Sequence, residues 1–239
     1  MPQLSVVVPV FNERDNIPPL LVEIAAALRG RLDFEIIYID DASEDDSLAV
    51  LRREKARYPE LRVLRHRVRS GQSTALWNGI HAARAPWVAT LDGDGQNDPA
   101  DIARLLAARE QADAGVHLFT GWRTTRRDSI GKRVSSRVAN AVRSRVLGDA
   151  TPDTGCGLKL VERETFLRLP FFDHMHRYLP ALVRRAGHAT QSVPVGHRPR
   201  TRGHSKYGTL DRLWVGIADL RGVAWLMRRA KVTGVEEIR

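Results

Sequence analysis

The stretch LDGDGQNDP, residues 91–99, places carboxylate and amide side chains directly after an apolar run. Asp92 and Asp94 are two residues apart, so in extended backbone their side chains point the same way. The two glycines between and after them allow a tight turn. Carboxylate oxygens and the amide oxygen of Gln96 are ligands that Mg²⁺ or Mn²⁺ accepts. The residues predict a divalent-cation site, and a solvated acidic turn is the alternative.

A second acidic pair, Asp40 and Asp41, ends another apolar run. Its carboxylates could accept hydrogen bonds from a ribose or from the N–H of a base. Alternatively, the pair begins a helix together with Ser43, which is predicted as the N-cap. Asp98, which precedes a proline, is also predicted as a helix N-cap. Neither G-x-G-x-x-G nor G-x-x-x-x-G-K-[ST] occurs, so the usual dinucleotide and triphosphate loops are absent from the sequence.

The elements that must position these residues alternate along the first half of the chain. Strands are predicted over 4–10, 34–40, 61–68, 86–92 and 116–122, and helices over 16–30, 43–59, 72–84 and 99–111. This order is typical of a doubly wound, mostly parallel α/β sheet. Ligands bind at the carboxyl ends of the strands in such sheets, and both acidic pairs fall there.

The second half has a looser pattern. A basic helix is predicted over 128–148, a turn and strand over 153–161, a helix over 177–187, a strand over 190–200 and a basic loop over 201–208. Residues 210–231 are rich in Leu and Trp, but Asp219 and Arg221 interrupt them, so amphipathic helices are predicted rather than a membrane span. Trp214 and Trp225 suit a headgroup boundary, and packing on the protein's own core is the alternative. We therefore divide the chain into a domain over 1–209 and a membrane-interface region over 210–239.

The composition is that of a globular protein: 239 residues, 43% hydrophobic, 28% charged, with one cysteine and no recognisable signal peptide. Residues 1–120 hold 14 Lys and Arg against 18 Asp and Glu, whereas the remainder holds 24 against 10. The basic half predicts an anionic partner. No zinc-ligand spacing, RNP-like strand or helix-turn-helix context supports nucleic acid, and acidic loops would repel its backbone, so no nucleic-acid partner is expected.

Four blocks, VVVPVFNERDNIPPLL, IDDASEDDS, GQSTALWNGIHAA and LDGDGQNDPADI, resemble glycosyltransferase family 2 in order and spacing. Three more, GWRTTRRDSIGKRVSS, DTGCGLK and HRPRTRGHSKYG, are similar to the polyprenyl-phosphate, dolichol-phosphate mannosyltransferase-like branch. The resemblance covers about residues 4–227. It implies a GT-A fold and transfer, with inversion, of a hexosyl unit from a nucleotide-sugar to undecaprenyl or dolichyl phosphate. A soluble family 2 transferase acting on a sugar or protein acceptor is the alternative.

The resemblance also implies roles for particular residues. The divalent cation, Mg²⁺ or Mn²⁺, would be bound by Asp92, Asp94 and Gln96. The nucleotide would be flanked by Pro9, Phe11 and Glu13, and its base would be read by Asp40 or Asp41. The acceptor phosphate would be surrounded by Arg123, Lys132 and Ser136, and a loop over the donor diphosphate would contain Arg200, Ser205 and Lys206. Asp92, Asp94, Arg123 and Lys132 would be the catalytic set. A phosphate monoester is already anionic near neutral pH, so no general base is assigned.

The resemblance further implies the partners and location. A UDP-sugar is favoured over GDP-mannose by bacterial precedent in the family. Many bacterial members carry two C-terminal transmembrane helices, which are not found in this sequence. Attachment to an anionic membrane surface, directly or through a membrane-protein partner, is therefore expected at the cytoplasmic face of the inner membrane. Cys156 is expected to serve packing.

Overall fold

The computed structural model describes residues 1–124, 140, 142–199 and 209–229. The strands are β1 Leu4–Val10, β2 Phe34–Asp40, β3 Leu61–Arg65, β4 Trp87–Thr90, β5 Val116–Arg123, β6 Lys159–Glu162 and β7 Ala189–Val195. The helices are α1 Ile17–Leu28, α2 Ser47–Lys55, α3 Gln72–Ala82, α4 Ile102–Gln111, α5 Arg163–Leu167, α6 Leu179–Arg185 and α7 Thr209–Arg228. Residues 142–147 are also helical, and short 3₁₀ turns cover Pro99–Asp101 and Met175–Arg177.

The strands form one seven-stranded sheet in the order β3-β2-β1-β4-β6-β5-β7. Strand β1 pairs in parallel with β2 and β4, β2 with β3, and β5 with β7. Strand β6 runs antiparallel to both of its neighbours, β4 and β5. The prediction of a mostly parallel α/β sheet is confirmed, and the reversed strand is an addition that the alternating pattern did not predict.

Each face of the sheet has its own hydrophobic core. Along β1, Val6 and Val8 belong to one core and Val7 to the other, because successive strand residues point to opposite faces. Helices α1 and α4 cover the first face through residues such as Ile24 and Leu105. Helices α3 and α6 cover the second face. The two helical layers therefore bury both faces of the sheet.

Helix α2 begins later than the sequence predicted. Ser43 is not its N-cap, because the helix starts at Ser47 and residues 43–46 are not helical. The Ser43 hydroxyl instead accepts a hydrogen bond from the backbone N–H of Asn12, at 2.9 Å. The Asn12 side chain in turn accepts from the N–H of Glu44, at 2.8 Å. These cross-loop hydrogen bonds join the ends of β1 and β2, while Asp45 Oδ1 accepts from the N–H of Ser47 at the start of the helix, at 2.9 Å.

Helix α7 has one packed side and one exposed side. Val223 is buried in the second core, and the Tyr178 hydroxyl donates to the carbonyl oxygen of Gly216, at 3.3 Å. On the other side, 36% of Ile217 and 61% of Trp225 are exposed. Among the described residues, none of the helices has the length and apolar character required to cross a bilayer.

Candidate active site

The loop that follows β4 lies in direct contact with the end of β1 at the carboxyl edge of the sheet. A Cβ added to Gly93 would be 2.6 Å from Val10 Cγ1 and 2.9 Å from the carbonyl oxygen of Pro9. Only glycine permits this approach, since real Cβ contacts do not occur below 3.0 Å. The structure therefore brings the Asp92–Gln96 loop against the end of β1, where the family resemblance implies the nucleotide.

Asp92 and Asp94 occupy the turn after β4. The Gln72 side chain donates to Asp92 Oδ1 at 2.8 Å, and the backbone N–H of Gln96 donates to Asp94 Oδ1 at 3.1 Å. Burial and the charge of Asp94 raise the pKa of Asp92, against the opposing charges of Lys159 and Arg123. A cation would relieve this carboxylate repulsion, so these hard oxygen donors fit Mg²⁺ or Mn²⁺.

The described residues contain no cluster of three or more His, Cys, Asp or Glu that could hold a metal ion. The two aspartates therefore need other oxygen donors. The amide of Gln96 and substrate phosphates are donors of the required kind. The predicted N-cap role of Asp98 is confirmed, because its Oδ1 accepts from the N–H of Ala100 at 3.0 Å.

The segment after β7 is fastened to the same loop. The Arg198 N–H donates to the carbonyl oxygen of Gln96 at 2.9 Å, and its guanidinium lies 2.5 Å from Asp98 Oδ2 and 2.8 Å from Glu23 Oε2. Sequence reasoning missed Arg198, although it belongs to the quoted block HRPRTRGHSKYG. The neighbouring residues Arg200, Ser205 and Lys206 lie outside the described residues.

Asp40 and Asp41 have different surroundings. The carboxylate of Asp41 accepts from the N–H groups of Ser70 and Gly71, at 2.8 and 2.9 Å, and lies 2.7 Å from Nδ1 of His66. Asp41 thus holds the loop that leads into α3. Asp40 is fully buried, and its Oδ2 has no hydrogen bond, although it lies 3.5 Å from Nε of Arg65.

Phe11 and Glu13 are held by contacts around the β1 loop. The guanidinium of Arg69 lies over the Phe11 ring, 4.1 Å from its centroid, which is a cation–π geometry. Glu13 Oε2 accepts from the side-chain amide of Asn16 at 2.6 Å, and its backbone N–H donates to Ser47 Oγ at 2.9 Å. Both residues lie at the strand ends where the sequence placed them.

Arg123 ends β5 and makes a two-pronged ion pair with Asp153. Its Nε and Nη2 donate to the two carboxylate oxygens, at 2.7 and 2.8 Å. Burial acts to lower the pKa of Arg123, but the hydrogen bonds and charge of Asp153 outweigh it and raise that pKa. Lys132 and Ser136, which the family resemblance groups with Arg123, lie outside the described residues.

A buried arginine holds the loop that carries Asp153. The Arg143 guanidinium donates to Asp149 Oδ1 at 3.1 Å and to the carbonyl oxygen of Thr151 at 2.6 Å, and also contacts the hydroxyl of Thr154. Sequence reasoning did not single out Arg143, because its partners are recognised only in three dimensions. Cys156 is buried in the first core, as expected of a packing residue.

A cavity of about 270 Å³ adjoins Asp92. Lys159 of β6 lines it, is only 4% exposed, and donates from Nζ to the carbonyl oxygen of Cys156. Burial lowers the pKa of Lys159. His176 also lines the cavity, with Nδ1 2.7 Å from Ser73 Oγ. Sequence reasoning missed both residues, although a lysine between leucines in a predicted strand is an available signal.

Solved structures with a similar fold are known. A mannosyltransferase of Pyrobaculum calidifontis, solved with GDP-Man and Mn²⁺, has a TM-score of 0.69 and 21% identity, with 98% of this chain and 66% of that chain covered. Glucosyl-3-phosphoglycerate synthase of Mycobacterium tuberculosis, solved with phosphoglyceric acid, has a TM-score of 0.70 and 22% identity, with 98% and 82% covered. The predicted GT-A fold is confirmed.

Sequence relatives give a finer comparison. Dodecaprenyl-phosphate galacturonate synthase of Rhizobium johnstonii is 36% identical over 233 residues, which are 95% of this chain and 68% of that protein. Undecaprenyl-phosphate 4-deoxy-4-formamido-L-arabinose transferase of Edwardsiella ictaluri is 34% identical over 210 residues, 87% of this chain and 63% of that protein. The chain thus spans about two thirds of these relatives' lengths, and their names agree with the polyprenyl-phosphate branch.

The family assignment agrees with the seven sequence blocks and with the positions of their loops on one edge of the sheet. The profile of "Glycosyl transferase family 2" matches residues 5–169, from β1 through β6 and α5. This match covers more than half of the 239 residues, and the chain belongs to glycosyl transferase family 2.

Proposed function

We propose that this chain transfers a hexosyl unit from a nucleotide-sugar to a polyprenyl phosphate, with inversion at the anomeric carbon. The observation that carries the proposal is the position of Asp92, near enough to Asp94, Lys159 and Arg123 for the charge of Asp94 to raise its pKa and the charges of Lys159 and Arg123 to oppose that rise. A carboxylate pair for a cation and a group of basic side chains at one site suit a reaction between two phosphate-bearing substrates. The names of the curated relatives support a polyprenyl phosphate as acceptor.

The residues divide between donor and acceptor. Asp92 and Asp94 would hold the divalent cation, which would neutralise charge on the diphosphate leaving group. Pro9, Phe11 and Glu13 would flank the nucleotide, and the Phe11–Arg69 stack offers a flat surface for its base. Asp40 or Asp41 would read the base: Asp40 Oδ1 accepts from the N–H of Ser43 and its Oδ2 has no hydrogen bond, whereas both oxygens of Asp41 hold the loop before α3.

Arg200, Ser205 and Lys206 would cover the donor diphosphate from the segment that follows Arg198. We favour a UDP-sugar over GDP-mannose as donor. The accepting phosphate is anionic near neutral pH and needs no general base. The protein's part is therefore to orient the two substrates and to stabilise the charge that develops on the leaving group.

The test is a panel of nucleotide-sugars assayed with Mg²⁺ or Mn²⁺. Each donor is offered undecaprenyl phosphate, a short-chain polyprenyl phosphate, and free sugars as acceptors. Transfer to the lipid phosphates with at least one UDP-sugar is expected. Transfer to free sugars or to a protein acceptor, with none to lipid phosphate, would favour the soluble transferase instead.

Arg123→Ala and Lys132→Ala should impair use of the lipid phosphate more than binding of the nucleotide. Each removes a charge-assisted contact worth about 1.5–3 kcal/mol, so the KM for polyprenyl phosphate should rise roughly tenfold or more. Arg123→Ala also leaves the buried Asp153 without its two-pronged partner, so thermal unfolding is measured alongside. Weaker nucleotide binding with unchanged acceptor kinetics would mean that Arg123 and Lys132 contact the donor rather than the acceptor.

The acceptor's tail stays in the bilayer, so the enzyme must work at the membrane surface. We propose that residues 210–239 attach it to the cytoplasmic face of the inner membrane, directly or with a membrane-protein partner. The exposed side of α7 supports this, because Ile217 and Trp225 lie among Arg221, Arg228 and Arg229 there. Apolar contact and attraction of arginines to anionic headgroups, about 1 kcal/mol each near the surface, would act together.

The protein should bind anionic liposomes at low salt and be largely released at high salt, because screening weakens the electrostatic part. Trp225→Glu combined with Trp214→Glu should weaken binding further and leave nucleotide binding unchanged. Val22→Glu, which puts the same charge on an exposed apolar residue of α1, is the matched control. Co-sedimentation with vesicles measures all three. If the wild-type protein does not bind the vesicles at low salt, recruitment to the membrane must depend on a partner protein.

A further inference from the structure

The cavity beside Asp92 is lined by basic residues that have not been assigned to the donor or to the acceptor. Lys159 and Arg177 both line it, together with the histidine at position 176. Lys159 is buried, whereas Arg177 is half-buried. In the described part of the chain neither of these two cations forms an ion pair, and Lys159 uses one of its three N–H donors, on the carbonyl oxygen of Cys156.

A buried cation without an ion pair is costly to the fold unless a ligand compensates it. The carboxylates whose charges act on Lys159 are Asp92 and Asp153. Asp92 belongs with Asp94 in the cation site, and Asp153 is engaged by Arg123 through two hydrogen bonds. The positive charge in the cavity is therefore available to an anionic group of a substrate.

His176 adds a polar but uncharged group to this wall. Burial lowers its pKa well below the usual range, and the positive charges of Lys159, Arg177 and His174 add to that effect. The ring stays neutral near pH 7 and is fixed by its 2.7 Å contact with Ser73 Oγ. His176 therefore adds no charge of its own to the two positive charges of Lys159 and Arg177 in the cavity.

The residues that line the cavity favour one of the two substrates as the source of this anionic group. The walls come from Gln72 and Leu76 of α3, from residues 90–92 at the end of β4, and from residues 154–157, 159, 176, 177 and 179. None of the residues proposed for the nucleotide, at the ends of β1 and β2, takes part in the lining. Gly155, which does take part, is the place where an added Cβ would lie 3.3 Å from Nη2 of Arg123. The cavity thus borders the arginine proposed for the acceptor.

We propose that Lys159 and Arg177 complete the subsite for the accepting phosphate, beside Asp92. This assignment rests on the proposed function. An oxygen of that phosphate would form a bond to the anomeric carbon while the bond from this carbon to the diphosphate breaks. The electron pair leaves on the diphosphate, and no proton has to be moved. Lys159 and Arg177 would hold the nucleophile by charge and hydrogen bonds without reacting themselves.

The experiment uses Lys159→Met, which keeps an unbranched side chain in the buried site, and Arg177→Gln, at a partly exposed position. The KM for undecaprenyl phosphate should rise about tenfold or more in each, as expected for loss of a charge-assisted hydrogen bond. The KM for the nucleotide-sugar and the Kd for the nucleotide should stay within about twofold of the wild type, because neither residue belongs to the proposed donor site. Lys55→Met and Arg52→Gln, exposed on α2, are the matched controls and should change neither constant.

A second measurement does not depend on turnover. Farnesyl phosphate and inorganic phosphate are titrated into the nucleotide-bound protein by calorimetry, and thermal unfolding confirms that each variant is folded. Weaker binding of farnesyl phosphate by folded Lys159→Met and Arg177→Gln supports the subsite, even if no sugar is transferred to lipid and the proposed function fails. A raised donor KM, or acceptor constants like those of the wild type in an active enzyme, overturns the subsite while the proposed function stands.

Discussion

Asp94→Ala should abolish sugar transfer and leave the free energy of unfolding unchanged or slightly higher. The variant removes one of the two carboxylates proposed to hold the divalent cation, so charge on the leaving diphosphate would no longer be neutralised. It also removes the charge of Asp94 that raises the pKa of Asp92, which relieves repulsion in the folded state. Transfer from a UDP-sugar to undecaprenyl phosphate and denaturant unfolding measure the two effects.

Asp113→Ala is the control for this experiment, because Asp113 is an exposed acidic residue between α4 and β5. Its activity should equal that of the wild type. EDTA should abolish transfer by the wild-type enzyme as completely as the Asp94 substitution does. Added Mg²⁺ or Mn²⁺ should restore the activity of the wild type but not that of Asp94→Ala. Full transfer in EDTA, or by Asp94→Ala, would end the assignment of the metal site to these aspartates.

The strand-end loops were predictable because two local rules suffice to place them. Alternating strand-like and helix-like segments predict a parallel sheet, and the carboxyl ends of parallel strands meet at one edge. Asp40 and Asp92 therefore had to lie near that edge, and they do. A strand was predicted over 153–161, but rules for parallel sheets did not predict that β6 runs antiparallel to both of its neighbours.

The cavity was not predictable by the same rules. Ser73 and His176 are 103 residues apart and meet only after the sheet has formed. Charge counts indicated a basic second half, but they could not separate an arginine that is already paired, such as Arg123, from a lysine whose charge faces a cavity. Pairing is a property of the folded chain, and long-range contacts decide it.

Gly157 touches the carboxylate of Asp92 more closely than any side chain would allow. A Cβ built on Gly157 would be 2.2 Å from Asp92 Oδ2 and 2.5 Å from Oδ1. The Thr90 hydroxyl donates to the carbonyl oxygen of Gly157 at 2.7 Å, which keeps the backbone against the end of β4. An added methyl group must therefore displace the Asp92 carboxylate or break this contact.

Gly157→Ala should lower kcat/KM by about 100-fold or more, because displacing a reacting-site group by roughly 1 Å can cost that much. Overpacking should also lower the free energy of unfolding by about 1–3 kcal/mol, so activity is measured well below the melting temperature. Gly115→Ala is the matched control, since its added Cβ would meet nothing within 4 Å, and it should transfer sugar normally. If folded Gly157→Ala works within threefold of the wild type, the position of the Asp92 carboxylate does not govern the reaction, and the metal site must be sought elsewhere on this edge of the sheet.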